Sequence, residues 1–213
     1  AAAHPVASRP VAVTRPAALA QGIGRFATFG QPAAPQPVAA PAPAPAFVPR
    51  VIMVIRHGEK PAKGHSLTAR GWSRAHVLPT LFTVPDGGAP EVLPVPKVIY
   101  AASATSGGTG QRTRETVSSL SNRLNVPVNT AYGKGQESSL VRQAMAQAAH
   151  GPVLICWQHG EIPTIARALK VVGPRPPSYW PGNRFDMVWK FTETPQGWTF
   201  SEVPEMLLPG DRG

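Results

Sequence analysis

A chain of 213 residues, 42% hydrophobic, has room for one ordinary domain and a tail, and too little for two full domains. Its formal charge of +10 draws it toward anions, whether phosphorylated metabolites, acidic lipid or nucleic acid, and against the last there is no aromatic-interleaved basic stripe. The single cysteine, Cys156, excludes an intramolecular disulfide; no zinc-type Cys/His spacing occurs, and no run approaches the roughly 18 apolar residues of a membrane span.

Residues 1–49 are dominated by alanine and proline, and Pro41-Ala42-Pro43-Ala44-Pro45 reads as a polyproline-type spacer. The expectation is a disordered tail or linker over 1–49 and a folded domain over 50–213. The tail holds Arg9, Arg15 and Arg25 without Asp or Glu, an acid-poor character shared with targeting peptides, although its prolines argue against an amphipathic helix. An Ala1-Ala2-Ala3 start suits a processed N-terminus, and so a periplasmic or secreted location ahead of a cytoplasmic one, while an engineered start would look the same.

From Arg50 short β-branched runs alternate with helical periodicity, the pattern of an α/β layer architecture with a mostly parallel sheet. Strands are predicted at 51–55, 97–101, 126–129, 152–157 and 186–192, with a short last one over 198–203. Helices are predicted at 68–82, capped by Thr68, and at 111–124, 137–149 and 161–171. Asp86-Gly87-Gly88 marks a loop, and the proline-dense stretch from Pro174 to Asn183 marks a longer one able to rim a pocket. Cys156 lies in an apolar run and reads as a small buried hydrophobe. Trp157, Trp180 and Trp189 are expected in the core rather than in a site.

The chemistry concentrates at strand ends. Arg56-His57-Gly58-Glu59 follows Val51-Ile52-Met53-Val54-Ile55, setting an imidazole beside a guanidinium. Histidine forms covalent intermediates, and arginine's planar fork matches phosphate oxygens. A second arginine opens the helix in Gln111-Arg112-Thr113-Arg114-Glu115-Thr116, and a second histidine follows a strand in Val153-Leu154-Ile155-Cys156-Trp157-Gln158-His159-Gly160-Glu161. Ligands of open α/β sheets gather at the carboxyl ends of strands, so His57 and His159 meet if their strands are neighbours. The helix expected to start near Glu161 would aim its first amides at the same place.

These segments resemble the histidine phosphatase superfamily, from about Arg50 to about Thr194. The carrying residues are Arg56, His57 and Gly58, then Arg112 with Thr116, then His159 and Gly160, with Leu67-Thr68-x-x-Gly71-x-x-x-Ala75 similar to the family's first helix. The resemblance implies a phosphoglycerate mutase-like, three-layer α/β/α fold with a mostly parallel central sheet. It further implies attack on phosphorus by His57 through a phosphohistidine, with Arg56, Arg112 and His159 on the phosphoryl oxygens and neither cofactor nor metal required. Spacing to Thr116 favours Arg112 over Arg114. Gly58, Lys60, Gly160 and Glu137 complete the expected substrate-binding set.

A leaving alkoxide needs a proton. Glu161, Glu137 and Glu59 are the candidate acids, with Glu161 preferred although some branches of the family place an acid directly after the second histidine, where this chain has Gly160. The chain lacks the length of a full mutase, so the reading is a metal-independent phosphatase acting on a phosphorylated small molecule or phosphoprotein. The competing readings are a phosphomutase, a protein phosphohistidine phosphatase and a non-catalytic polyanion-binding module on the same fold. Substrate and oligomeric state are left open.

Overall fold

The computed structural model describes residues 47–82, 93–105 and 110–212. The expected tail lies almost wholly outside the described residues, as does the Asp86-Gly87-Gly88 loop.

Six strands form one sheet. The apolar run closing on the first motif is β1 (Val51–Arg56), followed by β2 (Val98–Ala101), β3 (Val128–Asn129), β4 (Val153–Trp157), β5 (Met187–Thr194) and β6 (Gly197–Pro204). Their order is β3-β2-β4-β1-β5-β6; the first four run parallel, while β5 is antiparallel to β1 and β6 to β5. The sheet is therefore mixed, with a parallel half and an antiparallel edge hairpin. That hairpin makes β6 longer than its sequence indicates, since pairing along β5 extends it from Gly197 to Pro204.

Alternation along β1 explains the layers. Ile52 and Val54 point into one core with Val153, Ile155, Leu140, Ile165 and Trp189; Met53 and Ile55 point into the other with Leu154, Cys156, Val117 and Leu120. The first core is closed by α3 (Glu137–Gln147) and α4 (Ile162–Ala168), the second by α2 (Gln111–Leu124) and by Leu78 and Phe82, which directly follow α1 (Ala69–Val77). The result is an α/β/α sandwich whose central strands are buried on both faces. Cys156 is fully buried, as expected, and burial pushes its thiol pKa up. Trp157, Trp180 and Trp189 all lie in the first core, Trp180 and Trp189 with ring centroids 5.0 Å apart.

Thr68 caps α1 by accepting the Gly71 N–H at 3.1 Å. The α-helix stops at Val77, short of the expected 82, because Pro79 cannot continue the hydrogen-bond ladder; Leu78–Phe82 tightens into a 3-10 turn. Helix α4 is also shorter than expected. Lys170 takes a left-handed φ of 52°, and Val171 leaves the helix to bridge Trp198 on β6.

Candidate active site

Parallel register between β1 and β4 pairs Arg56 with Trp157, and His57 extends the ladder by donating its N–H to the Trp157 carbonyl at 3.1 Å. Both strands therefore end together, bringing His57 and His159 to a ring-centroid separation of 6.5 Å, edge to face. A cavity of about 240 Å³ opens there, lined by His57, His159 and Arg112 with Lys60, Lys134 and Glu161.

His57 is 5% exposed and its Nδ1 lies 2.7 Å from the Gly58 carbonyl oxygen. A carbonyl only accepts, so Nδ1 carries the proton and Nε2 keeps its lone pair. Burial, partly opposed by the hydrogen bond to Gly58 and assisted by Arg56, Arg112 and His159, pushes the ring's pKa down to about 4. The imidazole is neutral at ordinary pH.

His159 takes the opposite tautomer. Its Nδ1 faces Arg56 Nη2 at 3.4 Å, and a guanidinium only donates, so the His159 proton sits on Nε2. Burial, with Arg56 and Lys60, lowers its pKa too. One ring thus offers a lone pair and the other an N–H donor.

Arg56 is 1% exposed and does not line the cavity. Its Nη1 donates to the carbonyls of Gly182 (2.9 Å), Arg184 (3.1 Å) and Pro181 (3.4 Å), and the guanidinium carbon stacks 3.8 Å from the centroid of Phe185. Burial lowers its pKa to about 10, which leaves it charged. The proline-dense loop is thereby tied to the strand end it rims, and Trp180 Nε1 adds a hydrogen bond to the Arg184 carbonyl at 2.8 Å.

Arg112 stands in the first turn of α2, behind Gly110. Gly110 has φ of 91°, and a Cβ there would fall 2.1 Å from the Ser103 carbonyl oxygen, so only glycine lets α2 start this close to the end of β2. Among the described residues the Arg112 guanidinium has no hydrogen bond or ion pair, whereas Arg114 points outward and is exposed. Thr116 ties the two motifs together: its hydroxyl accepts the Gly58 N–H at 2.8 Å and donates to the Arg112 carbonyl at 2.7 Å.

The other expected site residues divide. Lys60, Gly160 and Glu161 line the cavity. Gly58 does not: its N–H is taken by Thr116, and a Cβ on it would meet the Gly71 carbonyl oxygen at 3.1 Å, so the glycine serves packing of β1 against α1. Glu137 is buried outside the cavity, accepting from Trp157 Nε1 and the Gly135 N–H, both at 3.1 Å. Glu59 faces away, paired with Arg74 at 2.8 Å and Arg70 at 3.1 Å, and these arginines outweigh its burial and lower its pKa. Glu161 forms an ion pair with Lys134 at 2.9 Å.

Helix α4 has only seven residues and carries Pro163 in its first turn, so it lacks the run of free first-turn amides that the sequence led us to expect beside His159. Lys134 and Gln158 line the cavity without having been singled out by sequence. Lys134 lies between Gly133 and Gly135 in a loop whose position depends on α3, and no local signal marks it; Gln158 could have been taken from its place beside His159. Among the described residues no group of three or more His, Cys, Asp and Glu side chains could hold a metal ion, and no helix is long and apolar enough to cross a membrane.

No family model and no curated protein matches the sequence. Solved structures do. A structure of the protein histidine phosphatase SixA complexed with tungstate superposes with a TM-score of 0.50 at 15% identity, over 73% of this chain and 97% of that one. The alpha-ribazole phosphatase from Shigella flexneri gives a TM-score of 0.42 at 14% identity, over 76% of this chain and 100% of that one. At such identity the likeness concerns the fold: this chain has the α/β/α fold of the histidine phosphatases.

Proposed function

We propose that the chain is a phosphatase that hydrolyses phosphate monoesters through a phosphohistidine on His57, with residues 50–213 as the catalytic domain and 1–49 as a tail. The observation that carries this reading is the pairing of tautomers: a neutral His57 with its lone pair on Nε2, beside a His159 that donates from Nε2, in a cavity where Arg112 has no ion-pair partner among the described residues.

In the first step the His57 Nε2 lone pair attacks phosphorus, the N–P bond forms and the P–O ester bond breaks. The leaving oxygen takes its proton from Glu161, which acquires it from solvent against its ion pair with Lys134; Glu59 and Glu137 do not line the cavity. In the second step water attacks the phosphorus and gives a proton to the Glu161 carboxylate, the N–P bond breaks, and inorganic phosphate leaves as His57 regains its lone pair. Arg112 and the His159 Nε2–H meet the phosphoryl oxygens. Arg56 lies behind them, holding His159 and adding positive charge; its Nε is buried without a hydrogen-bond partner among the described residues. Phosphoryl transfer asks mainly for positioning and charge stabilisation, and fixed cations in a partly desolvated site supply both.

The test is turnover of an aryl phosphate in the presence of EDTA by the native chain and by His57→Ala. Turnover that survives EDTA and disappears in the variant supports the reading. Turnover that EDTA abolishes, or that persists in His57→Ala, overturns it. A screen that includes phosphorylated small molecules, phosphoproteins and phosphohistidine then separates the substrate classes, since a protein histidine phosphatase has a similar fold.

A further inference from the structure

A second concavity lies outside the site. It measures about 430 Å³, larger than the cavity beside His57, and runs between α4 and the proline-dense segment that follows it. Its floor is apolar, with Pro163, Val171 and Pro176; its rim holds Arg167, Lys170 and Arg175, and no carboxylate lines it. The charge pattern is continuous in sequence: residues 162–185 contain four basic residues and no Asp or Glu. In the same segment Val172 and Tyr179 are 38% and 68% exposed, which extends apolar surface beyond the groove.

We propose that this groove docks an acidic segment of a partner protein, one that carries aliphatic side chains among its carboxylates. Three features select that occupant. The rim cations are exposed, and an exposed ion pair contributes little by itself, so several must be engaged at once by an extended chain. The floor has the apolar character that buries aliphatic side chains, and a neighbouring tyrosine is the kind of rigid anchor enriched at interfaces. A small anion would find no buried polar side chain in the lining to orient it. The chain's own tail is not the occupant by charge, since residues 1–49 are basic and contain no carboxylate side chain.

The groove is also joined to the site at both flanks. Helix α4 starts directly after Gly160 and Glu161, and the segment leaving the groove supplies the carbonyls of Pro181, Gly182 and Arg184 that hold Arg56. A chain docked there lies along elements that form the walls of the cavity.

The inference goes beyond the phosphatase reading and does not depend on it. The experiment is fluorescence anisotropy of a labelled twelve-residue peptide of glutamate with leucine at every third position, titrated with the full chain at low and at physiological salt. Controls are the same peptide with lysine for glutamate, a leucine-free polyglutamate and a single-stranded oligonucleotide. The Glu/Leu peptide is expected to bind best, and Arg167→Glu/Lys170→Glu/Arg175→Glu is expected to weaken it at least tenfold. Tyr179→Ser should weaken it several-fold, while Lys97→Glu/Arg123→Glu/Arg142→Glu, charge-matched on other surfaces, should change it less than twofold. Aryl phosphate turnover, measured on the same samples, should be unchanged in the groove variants if the phosphatase reading holds. Absence of binding, equal loss in the two triple variants, or equal binding of polyglutamate or the oligonucleotide would each overturn the proposal.

Discussion

Two arginines flank the segment that carries His57, and the fold treats them in opposite ways. Arg74, on α1, is 2% exposed and meets three carboxylates: Glu59 at 2.8 Å, Asp211 at 2.8 Å and Glu205 at 3.2 Å. Burial disfavours its charge, but the carboxylates outweigh that and raise its pKa. Arg112, on α2, faces a cavity with no carboxylate partner among the described residues. A charge surrounded by counter-charges belongs to the structure, and a charge left uncompensated in a concavity is available to an anion. Arg74 links Glu59, two residues beyond His57, to the segment after β6, and so anchors the C-terminal region to the strand end that bears the site.

That contrast can be broken from either side. Arg74→Met should leave three buried or half-buried carboxylates without their cation and cost about 3–5 kcal/mol, read as a lower urea midpoint. A loss below about 1 kcal/mol would mean that Arg70 and solvent replace it. Arg112→Ala should do the reverse: stability within about 0.5 kcal/mol of the native chain, and kcat/KM for an aryl phosphate down about a hundredfold to a thousandfold. Equal effects of both variants on stability would erase the distinction between the two regions.

A smaller effect sharpens the comparison through pH. Burial raises the Glu205 pKa to about 8, against the opposing pull of Arg74. A carboxyl with a raised folded-state pKa binds its proton more tightly in the fold, so stability falls as pH rises from the ordinary carboxylate value to about 8 and is flat beyond. His57, with its pKa pushed down to about 4, works the other way: the fold resists protonating it, so its contribution rises with pH between about 4 and 6.5. The two overlap below pH 6.5, which leaves 6.5–8 as the window where Glu205 acts unopposed. Urea unfolding across that window should show a loss on the order of 1 kcal/mol, absent in Glu205→Gln; a flat profile for the native chain would contradict it.

The smallest expected change comes from Lys134→Ala, which frees Glu161. Stability should not change measurably, while KM for an aryl phosphate should rise a few-fold as the cavity loses a cation; an unchanged KM would remove Lys134 from the substrate's surroundings.

What could be read from sequence follows the range of the forces involved. Strands β1 and β4 and helix α2 are visible because each is specified locally, by a β-branched run or by helical periodicity behind a glycine. His57 and His159 come together because parallel strands end together, which topology alone predicts. The stop of α1 was available in Pro79. The early end of α4 was not, since Lys170 adopts a left-handed conformation that its residue type does not announce. The cluster around Arg74 joins Glu59 to Glu205 and Asp211 across more than 130 residues, and Lys134 reaches Glu161 from a different loop; neither pairing leaves a local trace. Of the candidate acids in the sequence, Glu59 is committed by the Arg74 cluster and Glu137 by its hydrogen bonds from Trp157 and the Gly135 N–H.

The central claim is that His57 carries the phosphoryl group, and the most direct measurement is mass spectrometry of the chain quenched in alkali during turnover of an aryl phosphate. The account predicts an acid-labile phosphate on His57, present at steady state or trapped by rapid quench, and absent from His57→Ala. Turnover with no phosphate on His57 at any quench time, or with the phosphate on His159, would contradict it.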